Sequence, residues 1–250
     1  MALMNTKINP PALLVVLAHP DDESFPMGGT LAKYAAQGAE VTLVCATRGE
    51  AGIAGLTPDE TAQIRTQELQ SAAAALGLAG VRFLGYLDGQ LSAADPTEVV
   101  GQLVDILRNV QPQAVITFGP DGISGHPDHL AIHRLTTTAF DQAGLPARLY
   151  YLAPSEATMQ GCGVIPSGEI AGGPVAAIDV AGTLVAKVRA MQSHASQKPP
   201  YAGPPEVEAE RLACHEYFTL ARPITVEGTG WTDLFEPALD AIDQFLPTSG

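Results

Sequence analysis

The chain has 250 residues, 46% of them hydrophobic and 16% charged, with a formal net charge of −14 at pH 7. That length suits one large domain with a substantial core, and the apolar share, without any low-complexity block, excludes a disordered chain. The acid excess opposes general nucleic-acid binding and adhesion to anionic membranes, but it leaves open a small substrate, which meets only local charges.

Ala12 to Ala18 is an almost wholly apolar run bounded by Pro10, Pro11 and Pro20. Too short for a helix, it reads as a buried parallel strand. His19-Pro20-Asp21-Asp22-Glu23 leaves its C-terminal end. Gly28 and Gly29 read as a tight turn before a helix over about 30–37, which Gly38 ends. Residues 40–46 form a second strand, followed by the glycine-rich polar loop 47–52. Thr57-Pro58-Asp59-Glu60 is a helix start, with a capping threonine, proline at the first position and glutamate three residues after the cap. That helix runs to about Leu76 and stops at Gly77, with Ile64, Leu69, Ala72, Ala73 and Leu76 as its apolar stripe.

A short strand over 81–84 leads to a loop holding Asp88 and Gly89. Asp95-Pro96 opens a helix that buries Val99, Val100, Leu103, Ile106 and Leu107. Residues 114–118 form a fourth strand, a helix follows over about 128–142, and 148–152 is a fifth strand. This alternation gives βαβ units, hence an α/β, Rossmann-like fold: a mostly parallel sheet with helices on both faces. No G-x-G-x-x-G follows the first strand, which opposes a dinucleotide site.

Residues 153–173 turn to Gly, Pro and Ser and read as a long loop, a lid or a subunit contact. A strand over 175–180, a helix over 182–193, a proline-rich irregular stretch over 198–205, a helix over 206–213, a strand over 215–220 and a last helix over 233–245 complete the chain. With no repeat and no second domain, 1–250 reads as one domain, in which 12–152 is the core carrying both motifs and 153–250 a loop-rich part. Cys45, Cys162 and Cys214 are too sparse for a disulfide framework and read as incidental thiols. The N-terminus carries one lysine, Lys7, and no signal-peptide pattern, and the first apolar run is too short to span a bilayer; a soluble, cytoplasmic protein is expected.

Chemistry concentrates at two strand exits. Ligands of open α/β sheets bind at the carboxyl edge, and charged groups there are costly unless paired or bound to metal. His126-Pro127-Asp128-His129 leaves the fourth strand as His19 to Glu23 leaves the first, so clusters about a hundred residues apart converge on one edge. His19, Asp22 and His129 then make a two-histidine, one-carboxylate set that leaves a tetrahedral position for water, as in catalytic zinc sites. Taken singly these residues read blandly: Asp128 as an N-cap, Asp21-Asp22 as a turn, a lone histidine as a satisfied polar group. Two clusters in this context favour a metal. His133 and His215 keep the bland reading.

A-H-P-D-D-E at 18–23 together with H-P-D-H at 126–129 resembles the LmbE/PIG-L family of zinc-dependent N-acetylglucosaminyl deacetylases. Thr47 to Gly52 is similar to the family's T-x-G-E-x-G loop, Arg65-x-x-Glu68 with Ala72 and Leu76-Gly77 to its R-x-x-E helix, and Asp88-x-x-Leu91 and Lys187 to Gln197 also fit. The resemblance implies Zn²⁺ held by His19, Asp22 and His129, Asp21 as general base, His126 as acid or electrostatic partner, and Asp128 orienting His126. Among candidate substrate contacts, Arg65 leans towards the sugar and Arg48 towards a solvated surface role. Glu50 and Asp88 bind sugar hydroxyls or organise loops, and His194 supports the site or caps a helix. Where some members carry a tyrosine two residues before H-x-D-H, this chain has Ser124; His126 would carry that task, or Tyr150, Tyr151 or Tyr201 would enter from elsewhere. The implied reaction removes acetyl from a small N-acetylglucosamine-type amide, with no nucleic-acid or membrane partner and a homo-oligomer left open. Two other readings stand beside it: Mg²⁺ held by Asp21-Asp22-Glu23 for phosphoryl transfer, and a sugar-binding module without catalysis.

Overall fold

β1 (Ala12–Leu17) is buried at every residue because it is paired on both edges, by β2 (Glu40–Cys45) and by β4 (Ala114–Thr117), both parallel. The computed structural model describes residues 10–154, 175–223 and 232–235. Among these, β3 (Gly80–Phe83), β5 (Arg148–Leu152), β6 (Val175–Asp179) and β7 (His215–Arg222) complete a seven-stranded sheet of order β3-β2-β1-β4-β5-β7-β6. Only β7 runs against its neighbours. The chain winds from β1 outward to β3 and then crosses to the other side at β4. The loops leaving β1 and β4 therefore part in opposite directions, and the crevice between them is the place where such sheets bind ligands.

The helices are α1 (Ser24–Ala36), α2 (Pro58–Leu76), α3 (Pro96–Val110), the single turn α4 (Gly122–Gly125), α5 (Pro127–Ala143), α6 (Leu184–Ser193) and α7 (Pro205–Ala209). They cover the sheet in two groups, α3 against α5 and α1, α2 and α6 together. The cap of α2 is as expected: Thr57 and Glu60 form a reciprocal capping box, and Gly77 ends the helix at φ 76°. Among the described residues no helix is long and apolar enough to cross a membrane.

Several details differ from the sequence expectation. α1 begins at Ser24, so Gly28 and Gly29 lie inside it and not in a turn before it. Their lack of a side chain serves packing: a Cβ at Gly28 would lie 3.2 Å from Lys187 Cγ, and one at Gly29 2.7 Å from Val180 Cβ. Lys187 and Glu216 form a buried ion pair at 2.6 Å behind this contact, and Glu216 also takes the amides of Gly29 and Thr30. On α2, Ile64 is exposed and Arg65 takes its place on the buried face. On α3, Val104 is buried while Ile106 is only partly so. α7 stops at Ala209, short of the expected 213. The loop at 153–173 falls almost wholly outside the described residues, as does the last helix beyond 235; residues 232–235 are not helical.

Two glycine substitutions separate these packing roles. Gly29→Ala should destabilise the protein by about 1–3 kcal/mol through overpacking against Val180. Gly101→Ala, on the exposed face of α3 with nothing within 4 Å, should stabilise it by about 0.5–1 kcal/mol. Urea unfolding of both variants checks the opposite signs.

Candidate metal centre

His19 follows β1 directly, and its ring lies across the crevice from the start of α5. His19 Nδ1 is 3.2 Å from His129 Nε2. Asp22 closes the triangle, with Oδ1 3.3 Å from His129 Nε2 and Oδ2 3.6 Å from His19 Nδ1. The edge of a tetrahedron with metal–nitrogen bonds of about 2.0–2.1 Å is about 3.3 Å. The His19–His129 and His129–Asp22 Oδ1 distances fall close to that edge, while Asp22 Oδ2, the oxygen facing His19, also takes the His19 amide at 2.7 Å.

The outer nitrogens of both rings are already committed. His129 Nδ1 donates to the Gly122 carbonyl (2.9 Å), and the Phe118 ring stacks on the imidazole at 4.0 Å. His19 Nε2 meets Asp88 Oδ1 at 3.1 Å and Asp128 Oδ2 at 3.3 Å. Carbonyl and carboxylate partners keep a proton on those outer atoms, which leaves the two facing nitrogens as the ones that give up a proton to take a metal. Such a pair calls for a shared proton or a cation. The carboxylates push His19 up to about 12 against the opposing effect of burial, with Asp128, Asp22 and Asp88 as the causes. His129 is likewise raised despite burial, chiefly by Asp22, and Asp22 is held well below the usual carboxylate range by the imidazoles although burial opposes it. A field that holds a proton so firmly also attracts a divalent ion.

Two overlapping groups of three, His19/His126/His129 and His19/Asp88/Asp128, also bring ligand atoms within 4.8 Å of one another. Asp88 and Asp128 are better suited to hold His19 from behind. Asp128 is fully buried and takes the amides of Gly89 (2.7 Å) and Leu91 (3.2 Å), which ties the 88–91 loop to α5. The Asp128 carboxylate contacts His19, a partner the sequence expectation does not name, while its backbone amide donates to His126 Nδ1 (3.2 Å). With Nδ1 accepting, His126 in its neutral form carries its proton on Nε2. Burial and the neighbouring imidazoles hold its pKa below the ordinary value.

Asp21 sits beside the donors with its side chain 23% exposed, at φ 111°. Burial and the charge of Asp22 push its carboxyl up to about 7, against the pull of Arg65. Arg65 and His194 are buried. Arg65 contacts Asp21 Oδ2 at 3.1 Å, and His194 Nε2 contacts Glu23 Oε1 at 2.7 Å. His194 thus supports the site as well as standing at the end of α6.

Glu50 accepts the amides of Arg48 and Asp88, and Asp88 that of Ala51, so these carboxylates organise the two loops. Arg48 lies over the Phe83 ring at 4.2 Å and donates to Thr66. Among the described residues the three candidate tyrosines are engaged elsewhere: Tyr150 donates to the Leu234 carbonyl, Tyr151 bonds Thr137, and Tyr201 lies by Arg211. His133 donates to the Phe118 carbonyl and His215 is exposed on β7, in line with the bland reading of both. Two supports escaped the sequence reading. Phe118 could have been flagged as an aromatic at a strand exit, and Glu23 as a buried carboxylate in want of a partner.

The sheet and its crevice define a doubly wound α/β protein with a histidine–carboxylate group able to hold a metal ion. The family model for GlcNAc-PI de-N-acetylase, PIG-L, matches residues 14–140. Relatives named 1D-myo-inositol 2-acetamido-2-deoxy-alpha-D-glucopyranoside deacetylase include one from Kineococcus radiotolerans, 34% identical over 75% of this chain and 69% of its own length. Another, from Streptomyces scabiei, is 35% identical over 90% of this chain and 88% of its own. Among solved structures, the N,N'-diacetylchitobiose deacetylase of Pyrococcus horikoshii is similar with a TM-score of 0.66 and 26% identity, over 96% of this chain and 92% of that one. The chain belongs to the PIG-L family.

Removing the support behind His19 should weaken the centre without unfolding it. Asp128→Ala should lower zinc affinity about 10–100-fold in competition with a chelator of known affinity, while Arg48→Ala should leave it unchanged. Because loading expels protons from the imidazoles, affinity in both proteins should fall as the pH is lowered.

Proposed function

We propose that this chain is a zinc-dependent amide hydrolase that removes acetyl from an N-acetylglucosamine-type sugar. The observation that carries the reading is the convergence of His19, Asp22 and His129 at metal-ligand spacing with Asp21 beside them. Two imidazoles with one carboxylate suit zinc better than Mg²⁺, which prefers oxygen donors. That chemistry, and the deacetylase names of the relatives, favour amide hydrolysis over phosphoryl transfer. An accessible base next to the ligands favours catalysis over sugar binding alone.

His19, Asp22 and His129 would hold the ion. Bound there, zinc lowers the pKa of a water molecule and polarises a carbonyl. Asp21, next in the chain to Asp22 and with its side chain partly open to solvent, takes the proton from the attacking water. His126 presents Nε2–H to the carbonyl oxygen as charge gathers on it. Asp21 then returns its proton to the leaving amine, which departs as the free amino sugar with acetate as the second product. Asp128 and Asp88 act on this chemistry by holding His19, and Glu50 by fixing the loop that carries Asp88.

The loops at 48–56, 88–95 and 153–173 carry the choice of sugar and aglycone. A small-molecule substrate and a cytoplasmic setting, with no nucleic-acid or membrane partner, agree with the net charge of −14. Acetate release from N-acetylglucosaminyl-inositol and N,N'-diacetylchitobiose should stop with chelator and return with zinc. Asp21→Asn should lose about 10²–10⁴-fold in turnover while binding zinc like the wild type. Turnover that survives chelation, or phosphate release in place of acetate, would overturn the assignment.

A further inference from the structure

Glu23 closes the turn that leaves β1, and it is fully buried. A carboxylate so placed is costly unless donors surround it. Two of its donors come from the turn itself: Oε2 takes the Asp21 amide at 3.0 Å, and Oε1 takes the Ser24 hydroxyl. The third comes from 171 residues further along the chain, where His194 Nε2 donates to Oε1 at 2.7 Å.

The contact with Asp21 is to its backbone, and that backbone needs it. The φ of 111° lies where a residue with a side chain is strained, and it persists only if the surroundings enforce it. The Asp21 peptide units are held on both sides, the amide by Glu23 and the carbonyl by the Ser24 amide at 3.0 Å. Asp22 has a separate anchor, because its Oδ2 takes the His19 amide. One turn thus carries two carboxylates that are fastened independently.

His194 is placed from outside the turn. It ends α6, its carbonyl takes the Gln197 amide at 3.0 Å, and Ser196 gives both its amide and its hydroxyl to Glu68 of α2 at 2.7 Å. The ring is fully buried, and among the described residues its Nδ1 finds no hydrogen-bond partner. A buried imidazole that leaves one nitrogen unmatched is placed for the bond that the other nitrogen makes. Burial opposes a charge on this ring, but Glu23, and after it Asp21 and Glu68, hold its pKa above the ordinary value.

We propose that His194 and Glu23 are one positioning unit: His194 holds the Glu23 carboxylate, and Glu23 holds the Asp21 backbone in the conformation from which its side chain takes a proton. The unit acts on the reaction through Asp21 and not through the metal donors or the substrate. The inference rests on Asp21 being the general base.

The test combines steady-state acetate release by the zinc-loaded enzyme with zinc affinity in competition with a chelator. The substrate is whichever of N-acetylglucosaminyl-inositol and N,N'-diacetylchitobiose the enzyme turns over faster. His194→Ala should lower kcat about a hundredfold with KM and zinc affinity unchanged. His194→Gln, whose amide can still donate to Glu23, should recover most of that loss. Glu23→Met combined with His194→Leu removes both charges, which spares the fold a lone buried ion. That double variant should resist urea like the wild type yet stay as slow as His194→Ala, because the Asp21 amide has lost its acceptor. Val104→Ala, a core truncation on α3, should lower stability and leave kcat alone. In an Asp21→Asn background His194→Ala should cost no further activity, since the groups act as one chain of contacts.

If kcat returns along with stability in the double variant, the pair is structural only and the proposal falls. A loss of zinc affinity that accounts for the lost turnover would place the pair behind the metal donors, and a raised KM at unchanged kcat would make His194 a substrate contact; either overturns it. Full activity of Asp21→Asn would instead sink the base assignment, a result distinct from these three. Should His194→Ala fail to fold, the double variant set against His194→Gln carries the same comparison.

Discussion

Two imidazoles whose inner nitrogens face each other across 3.2 Å are the constraint on which the rest of this structure turns. Each ring is fixed from outside: His19 by the carboxylates of Asp88 and Asp128, His129 by the Gly122 carbonyl and the Phe118 ring. Neither can rotate away without leaving a buried partner unsatisfied, which costs roughly 1–3 kcal/mol. The arrangement is an electrostatic demand for a cation, and Asp22 adds negative charge at the same point. The neighbouring loops are built to keep that demand in place.

The supports form a second layer with a clear division. Asp128 and its two amide contacts join α5 to the 88–91 loop; Glu50 joins that loop to 48–52; Arg65 joins 48–52 to the Pro20–Asp21 turn. Glu68 on α2 takes both the amide and hydroxyl of Ser196, and His194 reaches Glu23. Every segment that a resemblance to deacetylases picks out therefore touches its neighbour. Most of these polar residues hold one another, and Asp21 and His126 are left to face the crevice.

Much of this was legible beforehand. The apolar runs at 12–18 and 114–118 located both central strands, because a strand buried on two faces has no polar alternation to confuse it. The caps of α2 were readable because Thr57, Pro58 and Glu60 act locally. What failed were features decided by distant partners. Gly28 and Gly29 look like a turn until Lys187 and Val180 arrive against them. Ile64 reads as core and Arg65 as leaning towards the sugar, yet Ile64 is exposed and the buried guanidinium finds Asp21 and two carbonyls in the interior. For Asp128 the resemblance implies only His126, and the fold adds His19 from 109 residues away.

The pairing of β1 with β4 has a consequence for what holds the donor edge together. Leu13, Leu14 and Val15 lie opposite Ala114, Val115 and Ile116 in a register made only of buried aliphatic side chains. No donor side chain takes part in this register, which is held by oil-like cohesion and the backbone ladder. In small zinc modules the ion is the organising nucleus and its removal unravels the chain. Here the two strands that carry the donors are joined by aliphatic packing, so the edge on which the donors stand does not hang on a coordination bond.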